Sequence, residues 1–185
     1  MKYPLIAFVC IFTLVISCKS KPLSKENPHN KYGRSYAKKA TGFVGKLNNT
    51  QLDSVRISLS QNLNVNIEKK QIILLHYRQA ANFCISYGMT EKFIQNFINN
   101  TQNISERFTK NHNTKTLFVY TKDYYFEKYL SNTNWILDNG FVQNSIFPDN
   151  EICSGFILIK TNGEFYKYYG EDYFSIIKRL LNTEN

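Results

Sequence analysis

The sequence predicts an α/β fold in which helices flank a mixed β-sheet and one extra helix precedes it. Two observations predict this fold. Short apolar runs with the length of buried strands alternate with longer segments whose apolar residues recur every three or four positions. Near the C-terminus, Thr161-Asn162-Gly163 separates two strand-like runs, which is typical of a β-hairpin. Strands joined through a helix run parallel and hairpin strands run antiparallel, so the sheet contains both kinds of pairing.

The predicted elements occupy residues 49–185, which we assign to a single folded domain. Apolar runs predict the strands, at 71–78, 116–121, 155–160 and 164–169. Amphipathic stripes predict the helices, at 50–64, 90–108, 125–139 and 172–182. Thr50, Thr90 and Asp172 are the expected N-caps because their side-chain oxygens can accept a backbone N–H. In the second helix, the stripe expected to face the core is Phe93, Phe97, Ile104 and Phe108, widened by Ile94 and Ile98.

The first residues of the chain have the parts of an export signal. Lys2 is followed by an almost wholly apolar run from Pro4 to Ile16, which is short for a membrane span. The next residues complete the motif Val15-Ile16-Ser17-Cys18, which resembles the lipobox of bacterial lipoproteins. The resemblance implies a signal peptide over residues 1–17 and a lipid such as palmitate on Cys18. The alternative is an ordinary secretory signal followed by an accidental cysteine.

Residues 18–48 are predicted to form a lipidated tether. Polar residues, prolines and glycines there interrupt any apolar period. A basic cluster near the anchor is expected to rest close to anionic lipid or polysaccharide, and consists of Lys31, Arg34, Lys38, Lys39 and Lys46. Lys19 follows Cys18 directly, which resembles lipoproteins released to an outer membrane. We therefore expect a protein of the cell envelope that faces the periplasm or the exterior, with membrane lipid as its partner through Cys18.

Composition limits the remaining classes of function. A hydrophobic share of 43% and 14 Phe with 13 Tyr favour a packed body over disorder. The net charge of +9 raises nucleic acid as a partner, but the basic residues are mostly scattered and an exported protein meets little nucleic acid. No nucleic-acid partner is therefore predicted. Trp135 and the many tyrosines are available for a binding face, although most helical aromatic residues fit the core.

The element order over residues 70 to 182, β-α-β-α-β-β-α, resembles the thioredoxin fold. The stretch from Phe156 to Phe174 is similar to the last hairpin and helix of that family. The segment Phe83-Cys84-Ile85-Ser86-Tyr87 lies where the family carries Trp-Cys-x-x-Cys. The resemblance implies that Cys84 is the attacking cysteine, at a helix start that would lower its pKa. Tyr87 stands where the resolving cysteine belongs, so the ordinary dithiol cycle is not expected.

The resemblance also implies a partner for Cys84. The family proline that opens the third core strand falls on Ser154, and the residue before it is Cys153. That residue lies beside the catalytic cysteine in the family, so Cys84 and Cys153 are expected to meet. Three interpretations remain open, namely a structural disulfide, a redox-active pair and two unpaired thiols. The oxidising envelope favours a structural disulfide, and a redox-active pair ranks second among the three interpretations.

Two functional hypotheses follow. One is thiol-disulfide exchange, in which Cys84 attacks and Cys153 resolves. The other is a non-catalytic binding or protective, immunity-type lipoprotein, which binds an envelope protein or peptide and uses Cys84–Cys153 as a structural bond. Tyr87 and Ser154, which replace a cysteine and a proline, favour the binding hypothesis.

Histidines suggest little further chemistry. His29 lies in the tether and His112 in a polar loop, and neither is spaced from a cysteine or carboxylate like a metal ligand. His76 lies in the first strand, near the position of the family's buried proton-relaying acid, but a hydrogen-bonded strand histidine is the simpler interpretation. No metal site and no cofactor are predicted, and hydrolase and phosphate-loop motifs are not recognised.

Overall fold

The computed structural model describes residues 41–81, Cys84 and residues 88–183. The predicted signal peptide, Cys18, His29, most of the basic cluster and Tyr87 lie outside these residues. The described part is an α/β structure with a six-stranded mixed sheet. Its strands are β1 (Thr41–Lys46), β2 (Ile72–Arg78), β3 (Thr114–Tyr120), β4 (Trp135–Leu137), β5 (Ser154–Ile159) and β6 (Glu164–Tyr169). Its helices are α1 (Asn49–Leu63), α2 (Glu91–Thr109), α3 (Glu127–Leu130), α4 (Phe141–Ser145) and α5 (Phe174–Asn182).

The sheet has the strand order β1-β6-β5-β2-β3-β4. β2, β3 and β4 run parallel, whereas β5 is antiparallel to β2 and the pairs β5–β6 and β6–β1 are antiparallel. The predicted mixed sheet is therefore confirmed. Among the described residues, no helix combines the length and the apolar character needed to cross a membrane.

β2 divides the core into two layers because its side chains alternate between the faces of the sheet. Ile73, Leu75 and Tyr77 pack with residues of α1 and α4 on one face. Leu74 packs with residues of α5 on the other face, where His76 bonds Tyr173. β2 is buried on both faces, which explains why its sequence is an apolar run without a clear alternation.

The N-caps differ in part from the prediction. Thr90 caps α2, and its hydroxyl oxygen accepts from the Phe93 N–H at 3.4 Å. α1 is capped by Asn48 and not by Thr50, because Asn48 and Gln51 each accept the backbone N–H of the other, at 2.9 and 3.0 Å. α5 begins at Phe174, two residues after the predicted start, and has no side-chain cap, so the prediction of Asp172 as a cap was wrong.

The buried face of α2 is rotated from the predicted stripe. Phe93 is 46% exposed, whereas the buried residues of α2 are Ile94, Ile98, Thr101 and Ser105. The two polar residues can be buried because Thr101 donates to the Phe97 carbonyl oxygen and Ser105 bonds His76. At the contact between α2 and the sheet, polar side chains with buried hydrogen-bond partners therefore take the place that was expected for Phe93.

Two edge strands were not predicted. β1 lies within residues assigned to the tether, pairs with β6 along its whole length and includes Lys46 of the basic cluster. Four of its first five residues are exposed and two are glycines, so no apolar alternation marks it. β4 lies within the predicted helix 125–139, of which α3 keeps four residues. Trp135 of β4 is 6% exposed and packs against Phe118, so it belongs to the core and not to a binding face.

The predicted β5–β6 hairpin is confirmed. In its turn, Gly163 takes a positive φ of 85° and Asn162 does not. The Gly163 N–H donates to the Lys160 carbonyl oxygen, and the Lys160 N–H donates to the Glu164 carbonyl oxygen. This is the pattern of a three-residue loop in which the last residue is left-handed. A Cβ on Gly163 would also collide with the Leu47 carbonyl oxygen, so two constraints favour glycine.

Candidate functional site

The structure joins Cys84 and Cys153 by a disulfide bond, as the pairing prediction expected. The two residues are 69 apart in sequence, and their Cα atoms are 5.3 Å apart, which lies within the usual range for disulfides. Cys84 lies between β2 and α2, and Cys153 immediately precedes β5. Both are buried, at 1% and 0% exposure. The bond therefore ties the end of the parallel unit to the start of the hairpin, inside the core.

Gln79 positions Cys153. Its backbone N–H donates to the Cys153 carbonyl oxygen at 3.0 Å. Its side-chain amide donates to the carbonyl oxygens of Ile152, at 2.9 Å, and Asp149, at 2.6 Å. Gln79 is fully buried, so each of these bonds also satisfies a polar group that has left water. The segment that carries Cys153 is thereby held against the end of β2.

Glu171 is the acidic residue next to the bond. One of its carboxyl oxygens, Oε1, lies 2.7 Å from the Sγ atom of Cys153, and the residue is 8% exposed. The Glu171 carboxyl group is therefore in direct contact with one sulfur of the disulfide. We refer to Cys84, Cys153 and Glu171 as the cysteine–glutamate cluster.

The cysteine–glutamate cluster is also a group with metal-binding atoms. Its three ligand atoms lie within 4.8 Å of one another. Thiolates are the form in which cysteine binds metals, so the cluster offers a complete ligand set only when the disulfide is reduced. With the bond formed, the arrangement is a buried disulfide beside a carboxyl group.

His76 lies at the centre of a buried polar network next to this region. Its Nδ1 atom is 3.1 Å from the Tyr173 hydroxyl, and its Nε2 atom is 2.5 Å from the Ser105 hydroxyl. The ring stacks on Phe118, with centroids 4.9 Å apart. Burial, aided by the positive charge of Arg78, lowers the pKa of His76 to about 3. A neutral, fully hydrogen-bonded histidine matches the simpler of the two interpretations of this residue.

Arg78 is a buried cation at the end of β2. It is 1% exposed, and its guanidinium carbon lies 4.7 Å from the Phe97 ring centroid and 5.9 Å from that of Tyr173. Such contacts stabilise a cation through the negative face of the ring. Burial raises the pKa of Tyr173, and Arg78 partly opposes that shift. Arg78 pairs with Ser154 in the sheet register, so its backbone lies opposite the residue that follows Cys153.

Sequence reasoning did not single out Glu171, Gln79 or Arg78. Glu171 could have been found from the hairpin register. Gly155 lies opposite Tyr169 in that register. Because the strands are antiparallel, the residue two positions before Gly155, Cys153, falls opposite the residue two positions after Tyr169, Glu171. Gln79 and Arg78 carried no signal of their own, because polar residues at the end of a strand are ordinarily solvated.

The function must be argued from this geometry. A comparison with known proteins finds no family model that matches the chain and no curated protein that matches it. The cysteine–glutamate cluster, the fold around it and the N-terminal motif are therefore the features on which a functional proposal rests.

Proposed function

We propose that this protein is a lipid-anchored lipoprotein of the bacterial cell envelope whose thioredoxin-like domain binds a partner and is held together by a structural Cys84–Cys153 bond. The burial of both cysteines carries the proposal. Thiol-disulfide exchange requires a thiolate to reach a sulfur of the bond. Cys84 and Cys153 are 1% and 0% exposed, so in the described part of the chain their sulfur atoms offer almost no surface to a partner thiolate.

The arrangement of the inner strands supports the thioredoxin-like assignment. β2, α2 and β3 form a parallel unit, and the antiparallel hairpin β5–β6 lies beside β2 and leads into α5. The chain departs from the expected order between β3 and β5. There, two short helices and β4 replace a single longer helix.

Membrane attachment through Cys18 gives a direct prediction. Because Val15-Ile16-Ser17-Cys18 resembles a lipobox, we expect an alkyne analogue of palmitate to label the full-length chain in bacteria and the chain to be recovered with membranes. Cys18→Ser should abolish the label and release the protein. Cys10→Ser, which changes a cysteine inside the predicted signal peptide, is the matched control and should leave the labelling and the recovery with membranes unchanged. Labelling that survives Cys18→Ser would refute the anchor.

Thiol-disulfide exchange is the second candidate, and the contact between Glu171 and Cys153 favours it. In such a step a partner thiolate attacks the Cys84 sulfur and forms a mixed disulfide, and the Cys84–Cys153 bond breaks. The electron pair of that bond goes to the Cys153 sulfur, which takes up the proton that the partner thiol released, and the Glu171 carboxyl group 2.7 Å away is placed to relay it. The step would need local opening of the chain around Cys84.

The reduction potential of the bond separates the two candidates. For a structural bond in the full-length protein we expect a value below about −300 mV, because the folded state stabilises the closed bond relative to the two free thiols. Cys153→Ser, which leaves Cys84 as a lone thiol in the domain, should trap no mixed disulfide with envelope proteins. A markedly higher reduction potential, together with trapped partner proteins, would contradict the binding proposal and support thiol-disulfide exchange. Glu171→Gln should then slow reduction, whereas Glu151→Gln, an acid two residues before Cys153, serves as its control.

A further inference from the structure

A cavity of about 330 Å³ lies on the face of the sheet opposite α5, away from the cysteine–glutamate cluster. It is bounded by α1, by α4 and by the β5–β6 hairpin, and its lining includes Leu47, Val55, Phe141, Ile146, Phe165 and Lys167. This volume lies at the small end of the range for small-molecule sites, roughly 300 to 1,000 Å³. The cavity is therefore large enough for a short ligand.

The walls of the cavity are apolar and incompletely covered. Most aliphatic and aromatic residues of the core on this face are buried, including Leu59 and Ile159. Leu47, Val55 and Phe165 pack against that core but stay half-buried, and each of them lines the cavity. Part of the apolar surface that the fold leaves uncovered on this face is thus gathered at one concave place, where an apolar group would displace water from both surfaces.

Lys167 is the cationic residue of this largely apolar lining. The Lys167 ammonium donates one hydrogen bond to the Ile146 carbonyl oxygen, at 3.1 Å, and lies 4.9 Å from the Phe43 ring centroid. An ammonium has three N–H donors, so further donors remain for a ligand. Salt bridges within the described part of the chain are made by Lys69 and Lys160, not by Lys167. Burial lowers the pKa of Lys167, which means that its charge is desolvated and would gain from an anion.

We propose that this cavity binds a free medium-chain fatty acid, with the alkyl chain against the apolar walls and the carboxylate on the Lys167 ammonium. The charge of Lys167 selects an anion, and the apolar lining selects an alkyl body. A peptide fits less well, because each of its residues brings a backbone N–H and C=O group that needs a partner, whereas the polar side chains of the lining besides Lys167 are the three hydroxyls of Ser54, Ser58 and Ser145. The inference rests on the proposed binding function and names its ligand class.

Octanoate titrated into the full-length chain carrying Cys18→Ser tests the proposal, since no attached acyl chain then competes. By calorimetry we expect saturable binding of one octanoate per chain. Lys167→Met should weaken octanoate binding at least ten-fold, because it keeps the stem of the side chain and removes the charge. Lys178→Met makes the same change at an exposed position on α5 and should leave binding unchanged. Neutral 1-octanol should bind the parent chain and Lys167→Met equally.

A second variant tests the cavity itself. Ser58→Phe fills the space from α1 and should abolish octanoate binding, while the melting temperature stays within a few degrees of the parent value. Equal octanoate affinity in Lys167→Met overturns the proposal. Absence of saturable binding also overturns it, and would be the result if the N-terminal part of the chain or a second copy occupied the cavity.

The reduction potential measured on the same sample separates the two proposals. A potential in the structural range with no octanoate binding removes the fatty-acid assignment and leaves the structural role of the disulfide standing. A labile bond with octanoate bound removes the structural role and leaves the fatty-acid site standing.

Discussion

Loss of the Cys84–Cys153 bond is expected to lower the free energy of unfolding by about 4 kcal/mol. The bond closes a loop across a sequence separation of 69, so its main effect is to restrict the unfolded chain. The effect is large because a single domain is ordinarily stable by only about 5 to 15 kcal/mol. Urea unfolding of the oxidised protein and of the Cys84→Ala, Cys153→Ala double variant measures the difference.

The reduced wild-type protein is the control for this comparison, because it keeps both sulfur atoms and lacks only the bond. The double variant also loses packing around two fully buried side chains, so it should be less stable than the reduced protein. A difference below about 1 kcal/mol between the oxidised and reduced forms would contradict a stabilising role, given the value expected from loop closure.

Acidification is expected to destabilise the protein through His76. Its pKa is about 3 in the folded state and about 6.5 in the unfolded chain, so the unfolded state binds a proton first as the pH falls. The contribution of His76 is fully present above pH 6.5 and is lost progressively as the pH falls towards 3. The loss amounts to about 3 kcal/mol between pH 7 and pH 4.5. Chemical unfolding at a series of pH values measures it.

His76→Gln isolates this contribution from that of the carboxylates. The variant should be less stable at pH 7, because Ser105 and Tyr173 lose a matched partner, yet its stability should fall less steeply with acid. His112→Gln, at a partly exposed loop position, should keep the wild-type slope. If the stability of the wild type and of His76→Gln fell equally steeply with decreasing pH, His76 would be protonated to the same extent in the folded and unfolded states, which would contradict the prediction.

The strands at the centre of the sheet were predictable from sequence because both of their faces are buried. β2 and β5 are continuous apolar runs, and β6 follows a turn that glycine marks. The edge strands β1 and β4 were not predictable. β1 is mostly exposed, and β4 is only three residues long. Such strands are stabilised by backbone bonds to a neighbouring strand, which leave no periodic pattern in the sequence.

The orientation of α2 depends on a contact that its own sequence does not reveal. Phe93 and Phe97 are more hydrophobic than Thr101 and Ser105, and a stripe chosen by hydrophobicity therefore favours the phenylalanines. In the structure Ser105 is buried because His76 is opposite it on β2. The polar pair excludes the alternative orientation, since turning the helix would leave His76 buried without this partner.

Only part of the candidate site could be predicted from the sequence. The meeting of Cys84 with Cys153 followed from the resemblance of the element order to a known fold. Gln79 lies next to a strand and looks like a solvated residue, but three of its hydrogen bonds hold the segment of Cys153. Lys167 looks like an ordinary polar residue of an amphipathic strand until the cavity between α1 and α4 gives it apolar neighbours.

By itself, the sequence determined the mixed α/β class and the positions of the central strands, and it predicts an export motif that ends at Cys18. These are local properties, since periodicity, turn residues and short motifs are complete within a few residues. Only the tertiary structure decided that Glu171 lies against Cys153, that Ser105 rather than Phe93 faces the core, and that Lys167 stands in an apolar cavity. Each of these depends on the packing of segments far apart in the chain, whose mutual positions are set by the whole core at once.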